Sequence, residues 1–120
     1  MANPNVVAVT NILAKTVLDA DVAASAVSLL TCAADKLCKL NSLIIANIDG
    51  TNSAEISVWI TRSSADHYIA KGITVAAGST LLPIDKNMGL YLNESDILKI
   101  QASAAGDLSA VLSYEEIDDA

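Results

Sequence analysis

The chain reads as an all-β protein, an antiparallel β-sandwich or jelly roll, and three observations predict this. Apolar and polar side chains alternate at period two in several runs, turn residues punctuate the chain every eight to twelve residues or so, and Val, Ile and Thr populate the runs between. Many short strands at that spacing, each with one buried and one wet face, build two packed antiparallel sheets. A length of 120 residues suits one domain with one core.

Taken in order, Val6 to Val9 is a short apolar run after Asn3-Pro4-Asn5. It reads as an edge strand or as an arm that pairs with a neighbour, so residues 1–20 are set apart from a sandwich over 21–117. Between Asp19 and Asp35 two readings compete. Asp21 could cap a helix carrying Ala23, Ala24, Val27 and Leu30, or Ala26 to Leu30 could be a strand, which is preferred. From Cys38 to Ile48 the even positions carry Cys38, Leu40, Ile44, Ala46 and Ile48 against Lys39, Asn41 and Asn47, so the even side is expected to face the core. Ile56, Val58 and Ile60 alternate in the same way with Glu55, Ser57 and Thr61. Asp49-Gly50 and Asn52-Ser53 supply turn dihedrals between the two runs, and Leu43 to Ile60 is therefore expected to be a hairpin.

Short runs follow at His67 to Ala70, Ile73 to Val75, Leu81 to Ile84 and Leu90 to Leu92, divided by polar and glycine-containing turns. Pro83 lacks a backbone donor, which places its run at an edge or in an irregular strand. Leu98, Ile100, Ala102 and Ala104 alternate with Lys99, Gln101 and Ser103; Leu108, Ala110, Leu112 and Tyr114 alternate with Ser109, Ser113 and Glu115. Ala105-Gly106-Asp107 is expected to join these two runs as a second hairpin, and residues 118–120 to leave the last strand as an acidic tail.

Composition narrows the function. Phe is absent and the aromatics are Trp59, Tyr68, Tyr91 and Tyr114, so a chain that is 52% apolar must build its interior from Ile, Val, Leu and Ala. Small side chains bury less area each, at about 25 cal/mol per Å² of apolar surface, and stability is expected to lean on association with like copies or a partner. A formal charge of −7 with seven scattered basic residues argues against nucleic acid, which needs clustered cations. The acidic balance suits solubility at high local concentration or docking on a basic partner. The N-terminus lacks the basic and apolar regions of a signal peptide, and no window carries eighteen uninterrupted apolar residues, so no membrane is implied and the protein is expected in cytosol-like conditions until it assembles.

Candidate chemistry is sparse. Cys32 and Cys38 match no zinc spacing; free, partly buried thiols are preferred over a local bridge, and metal comes last. His67, the one histidine, follows Asp66 in a serine-rich stretch, but neighbours in a strand point to opposite faces and no Gly-x-Ser-x-Gly occurs, so a polar loop histidine is expected. Among carboxylate groups Asn93-Glu94-Ser95-Asp96 is the best cation candidate, yet it lacks EF-hand spacing, and turn chemistry explains it more simply. Trp59 takes an odd position in a strand whose even positions form the core side, so its ring is expected on the opposite face. There it is either an exposed interface anchor or a core residue beneath a further covering.

The stretch Lys39-Leu40-Asn41-Ser42-Leu43-Ile44-Ile45-Ala46-Asn47-Ile48-Asp49-Gly50-Thr51-Asn52-Ser53-Ala54 resembles a family of small virion structural proteins of tailed bacteriophages, many of them marine or cyanobacterial phages. Gly78-Ser79-Thr80-Leu81, Leu90-Tyr91-Leu92-Asn93-Glu94-Ser95-Asp96, Gln101-Ala102-Ser103-Ala104-Ala105-Gly106-Asp107 and Ser113-Tyr114-Glu115-Glu116-Ile117 look like that family's usual order of blocks. The likeness runs from about residue 36 to 117, and its specificity lies in the ordered set. Trp59 departs from it, since polar or small residues are more usual at that outward position.

The resemblance implies a non-enzymatic particle component with no catalytic residue, cofactor or metal. It would be made in the host cytoplasm and located in the virion, with other virion proteins, above all the major capsid protein, and copies of itself as partners. Capsid decoration or cement is the first role implied; a neck, tail or fibre adaptor is the second. A carbohydrate-binding module is the alternative of another class, and needs Trp59, Tyr68 and Tyr91 to converge as a stacking platform. The contact elements expected are Val6, Val7 and Val9 in the N-terminal run, with Trp59, Tyr68 and Tyr91.

Overall fold

A computed structural model describes residues 9–119, and Val6 and Val7 lie outside them. Among the described residues there are nine strands and no helix: β1 (Val9–Asp19), β2 (Val27–Thr31), β3 (Lys36–Asn47), β4 (Ala54–Arg62), β5 (Ala65–Val75), β6 (Thr80–Ile84), β7 (Leu90–Leu92), β8 (Ile97–Ala102) and β9 (Leu108–Asp119). They form two antiparallel sheets, one ordered β1-β9-β3-β6 with β7 also on β3, the other ordered β2-β8-β4-β5.

The pairing is nested. β1 joins β9, β2 joins β8, β3 joins β6 and β7, and β4 joins β5. The chain is thus one long hairpin folded over on itself, with β3·β9 and β4·β8 contacts sealing each sheet, and this is the jelly-roll form of the sandwich. The tip of the hairpin is Ser63-Ser64, where Arg62 pairs with Ala65 and both serines hold positive φ, 53° and 64°. Two positive φ values define the type I′ turn that matches strand twist.

Both expected hairpins prove to be crossings between sheets. β3 lies in one sheet and β4 in the other, as do β9 and β8, so Asp49-Gly50 and Ala105-Gly106-Asp107 carry the chain over the edge of the sandwich. The reason is local. Asn47 is buried and donates from Nδ2 to the carbonyls of Asn52 (3.0 Å) and Val75 (2.9 Å), while Asp49 N–H donates to Asn47 Oδ1 (2.8 Å), which holds a broad corner.

The expected core side of β3 is also corrected. Register shifts between Leu40 and Ser42, so a bulge at Asn41 reverses the parity of everything beyond it. Cys38 and Leu40 face the core as expected, but then Leu43 and Ile45 do so, while Ile48 is 60% exposed. Residues 27–31 form a strand, and Asp21 caps no helix; its Oδ1 accepts Gly106 N–H at 2.7 Å. His67 lies within β5, opposite Ile60, and not in a loop, because the Ser63-Ser64 turn starts the strand two residues before it. Pro83 sits at a register shift on edge strand β6, where its missing donor costs no ladder bond. β1 is an edge strand, and β9 continues through Asp118, which pairs with Lys36 and Asn11.

The core is a single cluster drawn from both sheets, including Leu40, Leu43, Ile45 and Leu112 from one and Ile56, Val58, Leu98 and Ile100 from the other. Tyr114 is the aromatic residue in it. Small aliphatic packing of this kind is what a chain without Phe must use.

Candidate functional site

The outer face of the β2-β8-β4-β5 sheet carries the aromatic pair. Trp59 stands opposite Lys99 on β8 and Tyr68 on β5, away from the inter-sheet cluster, as its odd position predicts. It is nevertheless only 4% exposed. The Tyr68 ring lies over it, with centroids 5.2 Å apart and planes at 34°, and Lys71 Nζ caps Tyr68 at 4.9 Å. The indole Nε1 is buried with no hydrogen-bond partner. Trp59 therefore serves as a small second core on the outside of the sheet, and Tyr68 presents the exposed aromatic surface.

Tyr91 is exposed but lies on β7 in the other sheet, opposite Lys39. The three rings do not form one platform. Beside Tyr68 a shallow polar groove of about 230 Å³ is lined by Glu55, Ser57, Lys71, Gly72 and Gln101 among others. Gly72 holds φ of 64° in a bulge of β5, and its N–H donates to Ser57 Oγ at 3.0 Å.

The carboxylate candidates are engaged in structural hydrogen bonds, while His67 is exposed and lines a cavity of about 230 Å³ with Ile60 and Arg62. Asp66 accepts from Thr61 Oγ1 at 2.7 Å, and His67 follows it on the opposite face of β5. In the Asn93-Glu94-Ser95-Asp96 turn, Asp96 is buried and accepts from Arg62 Nε (2.7 Å), Arg62 Nη2 (2.5 Å) and Asn93 N–H (2.8 Å), while Glu94 accepts from Asp35 N–H (2.6 Å). The hydrogen bonds from Arg62 hold the Asp96 carboxyl below the usual carboxylate range, against the opposing effect of burial. These carboxylates tie the end of β4 to the β7-β8 and β2-β3 turns. Among the described residues no group of three or more His, Cys, Asp or Glu is placed to hold a metal ion.

Cys32 and Cys38 are free and fully buried, and Cys32 Sγ donates to the Lys36 carbonyl at 3.4 Å. Burial pushes both thiols up, Cys38 to about 12, so neither is a thiolate at neutral pH. At the opposite end of the sandwich, Thr51 N–H and the Asn52 side chain and N–H hold the Asp49 carboxyl low, while its hydrogen bond with Asp49 pushes Asp107 up. The Asp107 carbonyl also accepts Ile48 N–H at 2.7 Å, so the two crossing loops are tied together at this end.

No family model and no curated protein matches the sequence. The fold does have counterparts. A Bacillus endospore appendage protein, from a family of disulfide-linked pili, superposes with a TM-score of 0.53 at 18% identity, covering 91% of this chain and 89% of that one. A chain of the infectious bursal disease virus Gx strain superposes with a TM-score of 0.50 at 14% identity, covering 92% of this chain and 33% of that one, so this chain spans about a third of the viral protein. At such identities the likeness establishes the shared sandwich fold. Both thiols of this chain are free and buried in its own core.

The sequence reading missed a further surface. Edge strand β1 exposes apolar side chains, with Ile12 54% and Leu18 73% accessible and Leu13 also open. Leu18, Ile48 and Val111 line an apolar depression of about 300 Å³ at the end of that sheet. Apolar residues at both parities of β1 are the available signal, and the lack of period-two alternation is what conceals the strand in the sequence. No helix is long and apolar enough to cross a membrane among the described residues.

Proposed function

We propose that the chain is a non-enzymatic structural protein of a bacteriophage virion, acting as a capsid decoration or cement protein. The observation that carries this reading is a jelly roll spanning nearly the whole described chain whose polar clusters are consumed in fastening loops while an edge strand keeps apolar side chains in water. Such a molecule offers surfaces rather than chemistry. The ordered phage-like blocks between residues 36 and 117 supply the particle, and the fold shared with a pilus subunit and a viral chain is consistent with many-copy assembly. Each copy would bridge neighbouring capsid subunits with modest energy per contact, multiplied by symmetry and avidity. Its acidic surface would keep free copies soluble. Val6, Val7 and Val9 at the N-terminus, and Tyr68 resting on Trp59, are the contact elements proposed toward other virion proteins, with Tyr91 as a separate contact on the opposite sheet.

Addition of purified protein to capsids that lack it, followed by counting bound copies, tests the reading. On the order of hundreds of copies per particle supports decoration of the lattice. A ring of about six or twelve moves the protein to the neck, tail or a fibre adaptor. No binding overturns the capsid assignment.

A further inference from the structure

Among the described residues the two sheets have four edges, and three of them carry features that discourage pairing. The β6 and β7 edge is broken between Ile84 and Leu90 and contains Pro83. β5 is irregular at two places, around Ile69 and around Lys71-Gly72, and β2 is five residues long with a register shift between Ser28 and Leu30. Short strands, bulges and proline are the devices by which proteins keep edges from adding further strands. β1 has none of them from Asn11 to Asp19, where its register on β9 is continuous. Nine residues make an edge about 30 Å long. Lys15 is the cation that would guard it, but its Nζ is bound to Glu116 at 3.1 Å.

The sequence of this open edge names its partner. In Asn11-Ile12-Leu13-Ala14-Lys15-Thr16-Val17-Leu18-Asp19 the large apolar positions are mirrored about Lys15: Ile12 by Leu18 and Leu13 by Val17, with polar Asn11 and Asp19 at the ends and the small Ala14 and Thr16 beside the centre. An antiparallel copy centred on Lys15 therefore sets Ile12 against Leu18 and Leu13 against Val17, apolar against apolar, which makes the strand self-complementary about a two-fold axis. We propose that β1 is the docking edge for a second copy of this chain, whose own β1 adds antiparallel about a two-fold axis at Lys15. The proposal rests on the assembly reading above and supplies that reading's first contact.

The pairing also joins apolar rows across the dimer. Leu18, Val111 and Ile44 lie side by side on β1, β9 and β3, and so do Ile12, Ile117 and Leu37. With Ile12 opposite Leu18 of the second copy, and Leu18 opposite its Ile12, the triplets join into two continuous rows of six apolar side chains. The two Lys15 residues meet at the axis with Glu116 beside each. Each copy carries a formal charge of −7, a repulsion that salt screens within about 8–10 Å, so association strengthens as salt is added.

The test combines mass with register on the full chain. Light scattering across protein concentration should give twice 12.4 kDa. Ile12→Lys with Leu18→Lys should return the single-chain mass with cooperative unfolding retained, because both side chains are exposed in the monomer, and with a melting temperature that no longer rises with protein concentration. Ile73→Lys on the β5 edge should leave the dimer intact. Lys15→Cys should cross-link to itself under oxidation, since facing residues have Cα atoms about 4.5–5.5 Å apart, within disulfide range. Ala14→Cys should cross-link to Thr16→Cys when the two variants are mixed, and not to itself.

A 12.4 kDa mass at every concentration overturns the proposal, as does a dimer that survives the paired lysines or a cross-link of Ala14→Cys alone that matches Lys15→Cys. Dimers that fail to bind capsids would overturn the capsid assignment and leave this inference standing; capsid binding by a strictly monomeric protein would do the reverse.

Discussion

Replacing Asp96 by Asn isolates the buried carboxylate that fastens one end of the sandwich. Its oxygens accept two hydrogen bonds from Arg62 and one from Asn93 N–H. An amide keeps one acceptor oxygen and turns an NH₂ group toward a guanidinium that can only donate, so at least one charge-assisted bond is lost. Such a bond contributes about 1.5–3 kcal/mol. The Arg62 side chain is 52% exposed and water can solvate it once freed, which puts the expected loss at about 2 kcal/mol, or about 6–10 °C in melting temperature for a domain of this size.

The pH dependence fixes the cause. The Asp96 pKa is lowered in the folded state, so the stability it contributes is fully present above the unfolded value near 3.9 and is lost as pH falls through the lower folded value. Urea unfolding of wild type and Asp96→Asn at pH 7 and again near pH 2 should show a deficit at neutral pH that closes in acid. A variant as stable as wild type at pH 7, or a deficit that persists unchanged in acid, would refute the assignment.

The turn at Ser63-Ser64 holds two positive φ values without Gly or Asn, so Ser63→Asn with Ser64→Gly should raise stability by about 0.5–1 kcal/mol, measured by denaturant melts. Asn47→Ala removes the donor shared by the carbonyls of Asn52 and Val75 and should cost about 1–3 kcal/mol, with faster amide exchange confined to the 48–53 crossing and its neighbours. With both thiols buried and pushed up in pKa, Cys32 and Cys38 should resist a thiol reagent at pH 8 until the protein is unfolded, and reductant should leave its oligomeric mass unchanged. Rapid labelling of the native protein would contradict this.

The fold class was legible because alternation survives in β8 and β9, where Leu98, Ile100, Ala102, Leu108, Ala110 and Leu112 are all buried. The division into sheets was not. Asp49-Gly50 and Gly106-Asp107 announce a bend, and a bend reads the same whether the next strand pairs with the last or crosses to the facing sheet. In β3 the Leu43-Ile44-Ile45-Ala46 run is apolar at both parities, so nothing in it betrayed the bulge at Asn41 that moves Ile44 outward. The true hairpin at Ser63-Ser64 lacks the Gly or Asn that marks positive φ. Trp59 was placed on the correct face of β4, but its covering by Tyr68 depends on a cross-strand pair whose register is set by bulges the sequence does not signal.

The nested pairing has a consequence for synthesis. Of the described strands β9 is made last, yet it lies between β1 and β3 and is the strand to which β1 is bonded. A nascent chain holds its first strand unpaired until residues 108–119 emerge, and any product cut short before them has no seat for it. The broad sheet closes only when residues 108–119 arrive, so the ability to present a fixed, ordered edge to another molecule waits for that strand and is denied to copies cut short before it.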